Sequence, residues 1–215
     1  MKNFIIFLLF SLSSCADYRY QKLDNPFSQY GIKSISVPMF YNQSNFQNIS
    51  PAFTKEIYKM LSGFKGLKIQ GGNNNTDATL IGIIDSQDFR RDSREATGPR
   101  SVKNIANSKI GAARGDFYIP SSNTLRAELR IIVIKKPTQE DIDFLKSNLG
   151  KENFISSKII FRESIALSSS FTREILLGEA TAVNSTQNRG AEKRTIGEMA
   201  KSSASTFRDM ILYAF

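Results

Sequence analysis

The chain has 215 residues and a formal net charge of +9, from 29 Lys and Arg against 20 Asp and Glu. It contains no histidine, no tryptophan and one cysteine, which excludes imidazole chemistry, an intramolecular disulfide and a zinc site built from several cysteines. Hydrophobic residues make up 40% and charged residues 23%, which favours one folded domain with an extension over a disordered or multi-span membrane chain.

The N-terminus has the pattern of a lipoprotein export signal. Lys2 precedes an apolar run over residues 4–10, too short for a membrane-spanning helix of about 20 residues. The sequence Leu-Ser-Ser-Cys that ends at Cys15 resembles the bacterial lipobox, in which the chain is cut before the cysteine and its sulfur is diacylated. We therefore predict a signal peptide over residues 1–14 and a lipidated tether over 15–31. The alternative is an ordinary signal peptide that leaves Cys15 as a buried thiol.

The residues after the cysteine help to predict the membrane in which the protein is anchored. Two acyl chains attach a domain to a membrane leaflet almost permanently. Ala16 stands where some inner-membrane lipoproteins carry aspartate, and Asp17 comes one place later. We therefore expect the periplasmic face of the outer membrane.

The first half of the predicted domain consists of a strand, a helix and two further strands, in that order. Residues 32–39 and 67–69 predict short strands, and residues 50–64 predict a helix. The helix carries an apolar stripe of Phe53, Ile57, Met60, Leu61 and Phe64. Residues 78–85 are apolar on both faces, which predicts a central strand.

Two long alternating strands dominate the second half. Residues 124–135 and 159–171 alternate apolar and polar side chains, which predicts strands with one buried face. Glu163 breaks the apolar side of the second strand and is expected at the sheet rim. Between them, residues 138–149 predict a small helix within an insertion over about 136–157. Residues 88–120 show no sustained period and predict a second insertion.

The C-terminal segment predicts a long amphipathic helix. Its apolar stripe consists of Ile196, Met199, Ala200, Ser203, Phe207, Met210, Ile211 and Ala214. Together these elements predict an α+β fold over residues 32–215. We expect a two-layer sandwich with a mixed sheet of four to five strands and two amphipathic helices on one face.

The sequence contains only incomplete matches to catalytic and metal-binding motifs. Ser62 and Lys65 match Ser-x-x-Lys, as in some acyl-enzymes, but no partner motif accompanies them. The acidic residues over 140–143 lack the glycine and closing glutamate of a calcium loop, and their charge suits a helix N-terminus. We expect neither an enzyme, a cofactor nor a metal site.

The basic segment after the central strand is the stronger signal. Residues 88–115 hold seven basic and three acidic side chains. We predict that Arg90, Arg91, Arg94 and Arg100 bind phosphate or lipid headgroups, because the guanidinium group matches phosphate bidentately. The alternative is a solvated loop with no ligand. We expect no nucleic-acid partner, because the predicted location is the cell envelope.

Several segments resemble the LptE family of lipopolysaccharide-assembly lipoproteins. These are Cys15 followed by two tyrosines, IKSISVPMFYNQS over 32–44, FTKEIYKMLSG over 53–63, and DATLIGI over 77–83. The resemblance implies a non-enzymatic partner of the LptD outer-membrane barrel, which assists lipopolysaccharide transport; for some members of the family, contact with lipopolysaccharide through basic side chains is proposed. The other readings are a homo-oligomeric lipoprotein subunit of another envelope or secretion complex, and a hydrolase that uses Ser62 and Lys65.

The lipobox yields a direct prediction. The substitution Cys15→Ala should leave the domain folded but unanchored, because the acyl groups are the predicted membrane attachment. Detergent-free fractionation of cells measures this. Complete retention of the variant in the membrane pellet would contradict lipidation, unless a barrel partner alone holds it there.

Overall fold

The computed structural model describes residues 23–72, 75–86, 94–101, 118–147, 157–173 and 181–215. Over these residues the chain forms one mixed sheet of seven strands and three helices. The strands are β1 (Ser34–Val37), β2 (Tyr41–Asn42), β3 (Lys68–Gly71), β4 (Ala78–Asp85), β5 (Arg94–Ser101), β6 (Tyr118–Lys135) and β7 (Ile159–Thr172). The helices are α1 (Ile49–Leu61), α2 (Gln139–Ser147) and α3 (Thr181–Ala214).

The sheet is organised around β6, which has 18 residues and a length of about 60 Å. Along one edge β6 pairs antiparallel first with β5 and then with β4. Along the other edge it pairs antiparallel with β7. Strands β1 and β2 pair parallel with the free side of β4, and β3 pairs parallel with β1. The resulting order is β3-β1-β4-β6-β5.

Helices cover both faces of the sheet where β4 lies. Every residue of β4 except the last is buried. On one face α1 and α3 pack together over the main core, which includes Phe53, Ile57 and Leu61 of α1, Met199, Phe207 and Ile211 of α3, and Ile35, Leu80, Leu129, Val133 and Phe161 of the sheet. On the other face α2 places Ile142 on a smaller cluster of Ile81, Ile83, Ile132 and Ile134.

The predicted α+β class and the two helices on one face are confirmed, whereas the sheet is larger than predicted. Seven strands replace the expected four to five, because β2 and β5 were not foreseen. Strand β5 lies inside the predicted insertion over 88–120, where no sustained period indicated a strand. The small predicted helix exists as α2, but it covers the second face of the sheet.

A close approach between Phe40 and Gly82 joins β4 to the segment between β1 and β2. A Cβ atom added to Gly82 would lie only 2.4 Å from the Phe40 Cδ2 atom. The Phe40 ring, which is 3% exposed, therefore lies on the bare backbone of the central strand. Glycine is required at this position because any side chain would displace the ring.

Helix α3 has 34 residues and a length of about 51 Å. Its C-terminal half carries the predicted stripe, with Phe207 and Ile211 fully buried. The Phe207 ring packs edge-on against Phe161 of β7, with 5.5 Å between ring centroids. Ala214, at the end of the predicted stripe, is exposed.

The burial of Phe207 generates a stability prediction. Phe207→Ala should lower the free energy of unfolding by about 3–5 kcal/mol, because it removes a fully buried ring and leaves a cavity. The melting temperature should fall by on the order of 10 °C. Tyr213→Ala is the matched control, since Tyr213 lies on the same helix but is 91% exposed. Equal melting temperatures for the two variants would contradict this packing.

Candidate functional site

A segment over residues 23–31, which we call the strap, crosses one end of the sheet before β1 begins. Its short 3-10 turn spans Pro26–Tyr30 and is capped by Asn25. The Asn25 Oδ1 atom accepts a hydrogen bond from the Phe27 amide at 3.0 Å, and its Nδ2 atom donates to the Ile32 carbonyl oxygen at 2.7 Å. Phe27 is fully buried. The strap is therefore part of the folded domain.

Phe215 joins the strap to the end of α3. Its ring centroid lies 5.5 Å from that of Phe27, 5.3 Å from that of Tyr30 and 6.0 Å from that of Phe161. Each such aromatic pair contributes about 0.5–1.5 kcal/mol beyond the area that it buries. Beside the cluster, an open cleft of about 430 Å³ separates the strap from α3. The cleft is lined by Leu23, Asp24, Asn25, Pro26, Ser28, Gln29, Leu212 and Phe215.

Exposed apolar side chains lie at this end of the domain: Leu212 lines the cleft, and Tyr213 and Tyr30 are next in sequence to residues that line it. Tyr213 is 91% exposed, Leu212 is 40% exposed and Tyr30 is 36% exposed. In the part of the chain that the structure describes, seven large hydrophobic side chains are exposed, and these three share one end of the domain. This end therefore combines a well-packed interior with an apolar surface.

Lysines surround the strap, because four segments of the chain meet there. The Lys65 amide donates to the Leu23 carbonyl oxygen at 2.9 Å, and the Lys68 amide donates to the Lys33 carbonyl oxygen at 2.8 Å. The Lys135 ammonium group donates to a strap carbonyl oxygen, that of residue 30, at 2.7 Å. Lys33, Lys65 and Lys68 are exposed. We call this assembly the strap end: the strap, the last turn of α3, and Lys33, Lys65, Lys68 and Lys135.

Asp77 ties the start of β4 to the start of β1 at the strap end. Its Oδ2 atom accepts hydrogen bonds from the Lys33 amide at 3.0 Å, the Ser34 amide at 2.9 Å and the Ser34 hydroxyl at 2.8 Å. These hydrogen bonds, led by the one from the Lys33 amide, hold the pKa of Asp77 below its ordinary value. The carboxylate therefore has a structural role, because it connects the starts of two parallel strands.

Asp141 has a similar structural role at the start of α2. Its Oδ2 atom lies 2.6 Å from the Lys158 Nζ atom and accepts a hydrogen bond from the Thr138 amide at 2.8 Å. The ammonium group of Lys158, followed by the Thr138 amide, lowers the pKa of Asp141 from 3.8 to about 2. The Asp141 amide donates in return to the Thr138 hydroxyl at 3.2 Å, which completes a reciprocal helix cap.

The structure describes only some of the site residues that were predicted from sequence. Cys15, Arg90 and Arg91 lie outside the described residues. Arg94 and Arg100 lie on β5, opposite Leu125 and Ile119. Six residues along a strand correspond to about 20 Å. The strand therefore separates these two backbone positions, and the proposed phosphate patch stays a prediction.

The Ser62 and Lys65 pair lies where α1 ends. The Ser62 hydroxyl donates to the Lys59 carbonyl oxygen at 2.7 Å. The Lys65 backbone holds the strap through the hydrogen bond to Leu23 described above. Both residues therefore take part in the turn that leads from α1 to β3.

The sequence reading missed the strap end for a topological reason. Its lysines lie at positions 33, 65, 68 and 135, so no local motif unites them. One local signal existed within the predicted tether: an Asn-Pro pair, followed five residues later by Gly31, marks a turn. Gly31 ends the 3-10 turn with φ of 72°, a conformation that favours glycine.

Comparison with known proteins leaves the family open. No protein-family model matches the chain, and no curated protein matches it. Similar solved structures include a putative lipoprotein from Caulobacter crescentus, with 8% identity and a TM-score of 0.37 over 80% of this chain and 90% of that one. Rare lipoprotein B from Shewanella oneidensis has 11% identity and a TM-score of 0.36 over 84% and 92% of the two chains. Lipoprotein GNA1162 from Neisseria meningitidis has 10% identity and a TM-score of 0.33 over 75% and 96%.

These three structures are bacterial lipoproteins, but TM-scores this low carry no argument about function. Within the described ranges, no helix is both long and apolar enough to cross a membrane. In the same ranges, no cluster of acidic or cysteine side chains is arranged to hold a metal ion.

The lowered pKa of Asp77 generates a pH prediction. A carboxylate whose folded pKa lies below its unfolded value of 3.8 stabilises the protein above that pH, and the contribution is lost as the pH falls. Asp77→Asn should therefore destabilise the protein at pH 6 by about 1 kcal/mol, the difference between a charged and a neutral hydrogen bond.

Thermal unfolding at pH 6 and at acid pH tests this. The gap between wild type and Asp77→Asn should narrow as the pH falls below 3.8. Asp209→Asn is the control, because Asp209 pairs only with its neighbour Arg208 on the exposed side of α3 among the contacts described. A gap for Asp77→Asn that is constant with pH would show that its carboxylate charge does not matter.

Proposed function

We propose that the chain is an outer-membrane lipoprotein, acylated at Cys15, that binds a large β-barrel of the LptD type on the periplasmic side. In this role it assists the transport and assembly of lipopolysaccharide at the cell surface. It acts by binding, with no chemical step and no cofactor.

One observation supports this proposal most directly: the segments that resemble the LptE family form one contiguous unit. Residues 32–44 supply β1 and β2, residues 53–63 lie largely in α1, and residues 77–83 supply most of β4. Strands β1 and β2 both pair with β4. Chance matches would have no reason to be neighbours, whereas a shared structural unit requires it.

Side chains within these segments strengthen the unit. The Phe40 amide donates to the Thr54 Oγ1 atom at 3.0 Å, which joins the first segment to α1. The Phe40 ring lies on Gly82, which joins it to β4. Asp77, the first residue of the third segment, holds the start of β1. The residues that carry the resemblance therefore connect β1, β4 and α1 to one another.

A lipid anchor suits a protein whose partner lies in the same membrane. Confinement to one leaflet raises the effective concentration of the two partners without any additional contact. The same confinement would serve a homo-oligomer, so the partner must be identified directly.

Co-purification tests the proposal. Membranes from the native host are extracted with mild detergent, and the untagged chain is captured with an antibody against it, since Phe215 is packed into the domain and a C-terminal tag would disturb it. We expect a large outer-membrane barrel in the eluate, and less lipopolysaccharide at the surface of depleted cells.

The Cys15→Ala variant provides the control, because it should recover less barrel from the same extract. Elution of the chain alone, as a ring of identical subunits, would overturn the proposal and favour the alternative of another envelope or secretion complex.

A further inference from the structure

We propose that the strap end is a membrane-docking surface, which rests on the anionic headgroups of the leaflet that holds the lipid anchor. Leu212, Tyr213 and Tyr30 would lie at the level of the headgroups, and Lys33, Lys65 and Lys68 would face lipid phosphates. This inference rests on the acylation of Cys15 in the proposed function and adds an orientation to it.

The length of the tether brings this end to the membrane. Cys15 and Leu23 are eight positions apart, which allows at most about 26–29 Å even for a fully extended chain. Leu23 lies at the strap end, where its carbonyl oxygen accepts a hydrogen bond from Lys65. The acyl groups therefore remain within a short distance of this surface and far from the opposite end of α3.

The apolar side chains of the strap end are suited to a lipid interface. Tyrosine combines an apolar ring with a polar hydroxyl and is enriched where membranes meet water. Tyr213 is 91% exposed at the last turn of α3, next to the 40% exposed Leu212. Tyr30 lies close by, since its ring and that of Phe215 are 5.3 Å apart.

The charge of this end favours anionic lipid. The lysines of the strap end and its immediate neighbours are Lys33, Lys65, Lys68, Lys135, Lys136 and Lys158. The acidic side chains there are Asp24, Asp77, Glu140 and Asp141. Two of these acids are engaged within the protein, Asp77 with the start of β1 and Asp141 with Lys158. Lys158 is paired in turn with Asp141, so the six lysines and four acids leave a net charge of +2 around an apolar centre, as expected for a peripheral membrane contact.

A fluorescence experiment tests the orientation, because the chain has no tryptophan of its own. Tyr213→Trp places a single reporter at the strap end. Val183→Trp is the matched control: Val183 is 39% exposed on the same helix, about 45 Å from Tyr213 along the axis. Each mature, acylated protein is reconstituted into vesicles of phosphatidylcholine and phosphatidylglycerol in which some acyl chains are brominated.

We expect bromine to quench the Tyr213→Trp reporter and shift its emission to shorter wavelength, while the Val183→Trp reporter stays unquenched. Replacing phosphatidylglycerol by phosphatidylcholine, or raising the salt concentration, should reduce the quenching. Lys33→Gln with Lys65→Gln in the reporter protein should lower the ratio of docked to undocked protein about thirtyfold, at about 1 kcal/mol for each lysine. Lys193→Gln with Lys201→Gln, an equal loss of charge at exposed positions of α3, should leave it unchanged.

The outcomes separate this inference from the proposed function. Acylated protein that binds vesicles without quenching of the Tyr213→Trp reporter would overturn the docking surface alone. Equal quenching in the two lysine double variants would also overturn the docking surface alone. A reporter that responds only when a co-purified barrel is added would assign the strap end to a protein partner and overturn the lipid contact. Protein recovered without acyl groups, which fails to bind vesicles, would overturn the proposed function together with this inference.

Discussion

The burial of β4 on both faces is the constraint on which the rest of the fold depends. A strand with apolar side chains on both sides needs a cover above and below it, and paired neighbours along both edges. Helices α1 and α3 cover one face, and α2 covers the other. Strands β1 and β2 occupy one edge, and β6 occupies the other. The remaining strands extend this arrangement by pairing with β1 or β6.

Elements that bury one clear face were predictable from their own residues. Periodicity was sufficient for α1, α3, β6 and β7, because each carries an apolar stripe or an alternation over many positions. Strand β5 was not predictable in this way, since it contains Gly98 and Pro99 and several charged residues. Its backbone is extended because β6 continues past the end of β4 and offers an edge with which to pair. Such a long-range partner leaves no local sequence pattern.

Helix α2 was only partly predictable from its own residues. Its polar composition and first-turn acids predict a short surface helix. Its covering role rests on Ile142, which joins the smaller core cluster, and the polar composition of the first turn gives no sign of this contact. The strap end was hidden for a related reason, since lysines more than one hundred positions apart meet only through the sheet topology. The prediction at Cys15, by contrast, rests on a local pattern, the lipobox, and it stays a prediction.

The attachment of the strap also determines how the protein bears tension. A pull on the N-terminal side of the domain, such as a lipid anchor would transmit, acts first on the backbone hydrogen bond between Leu23 and Lys65 and on the β-bridge between Asp24 and Lys65. Next along the chain are the Asn25 cap and the Phe27 contact with Phe215. Strand β1 lies behind them, with four positions paired to β3 and two to β4 that must break together. The strap thus lies between the N-terminal side of the domain and the sheet, so its contacts bear such a load before the strand pairing of β1 does.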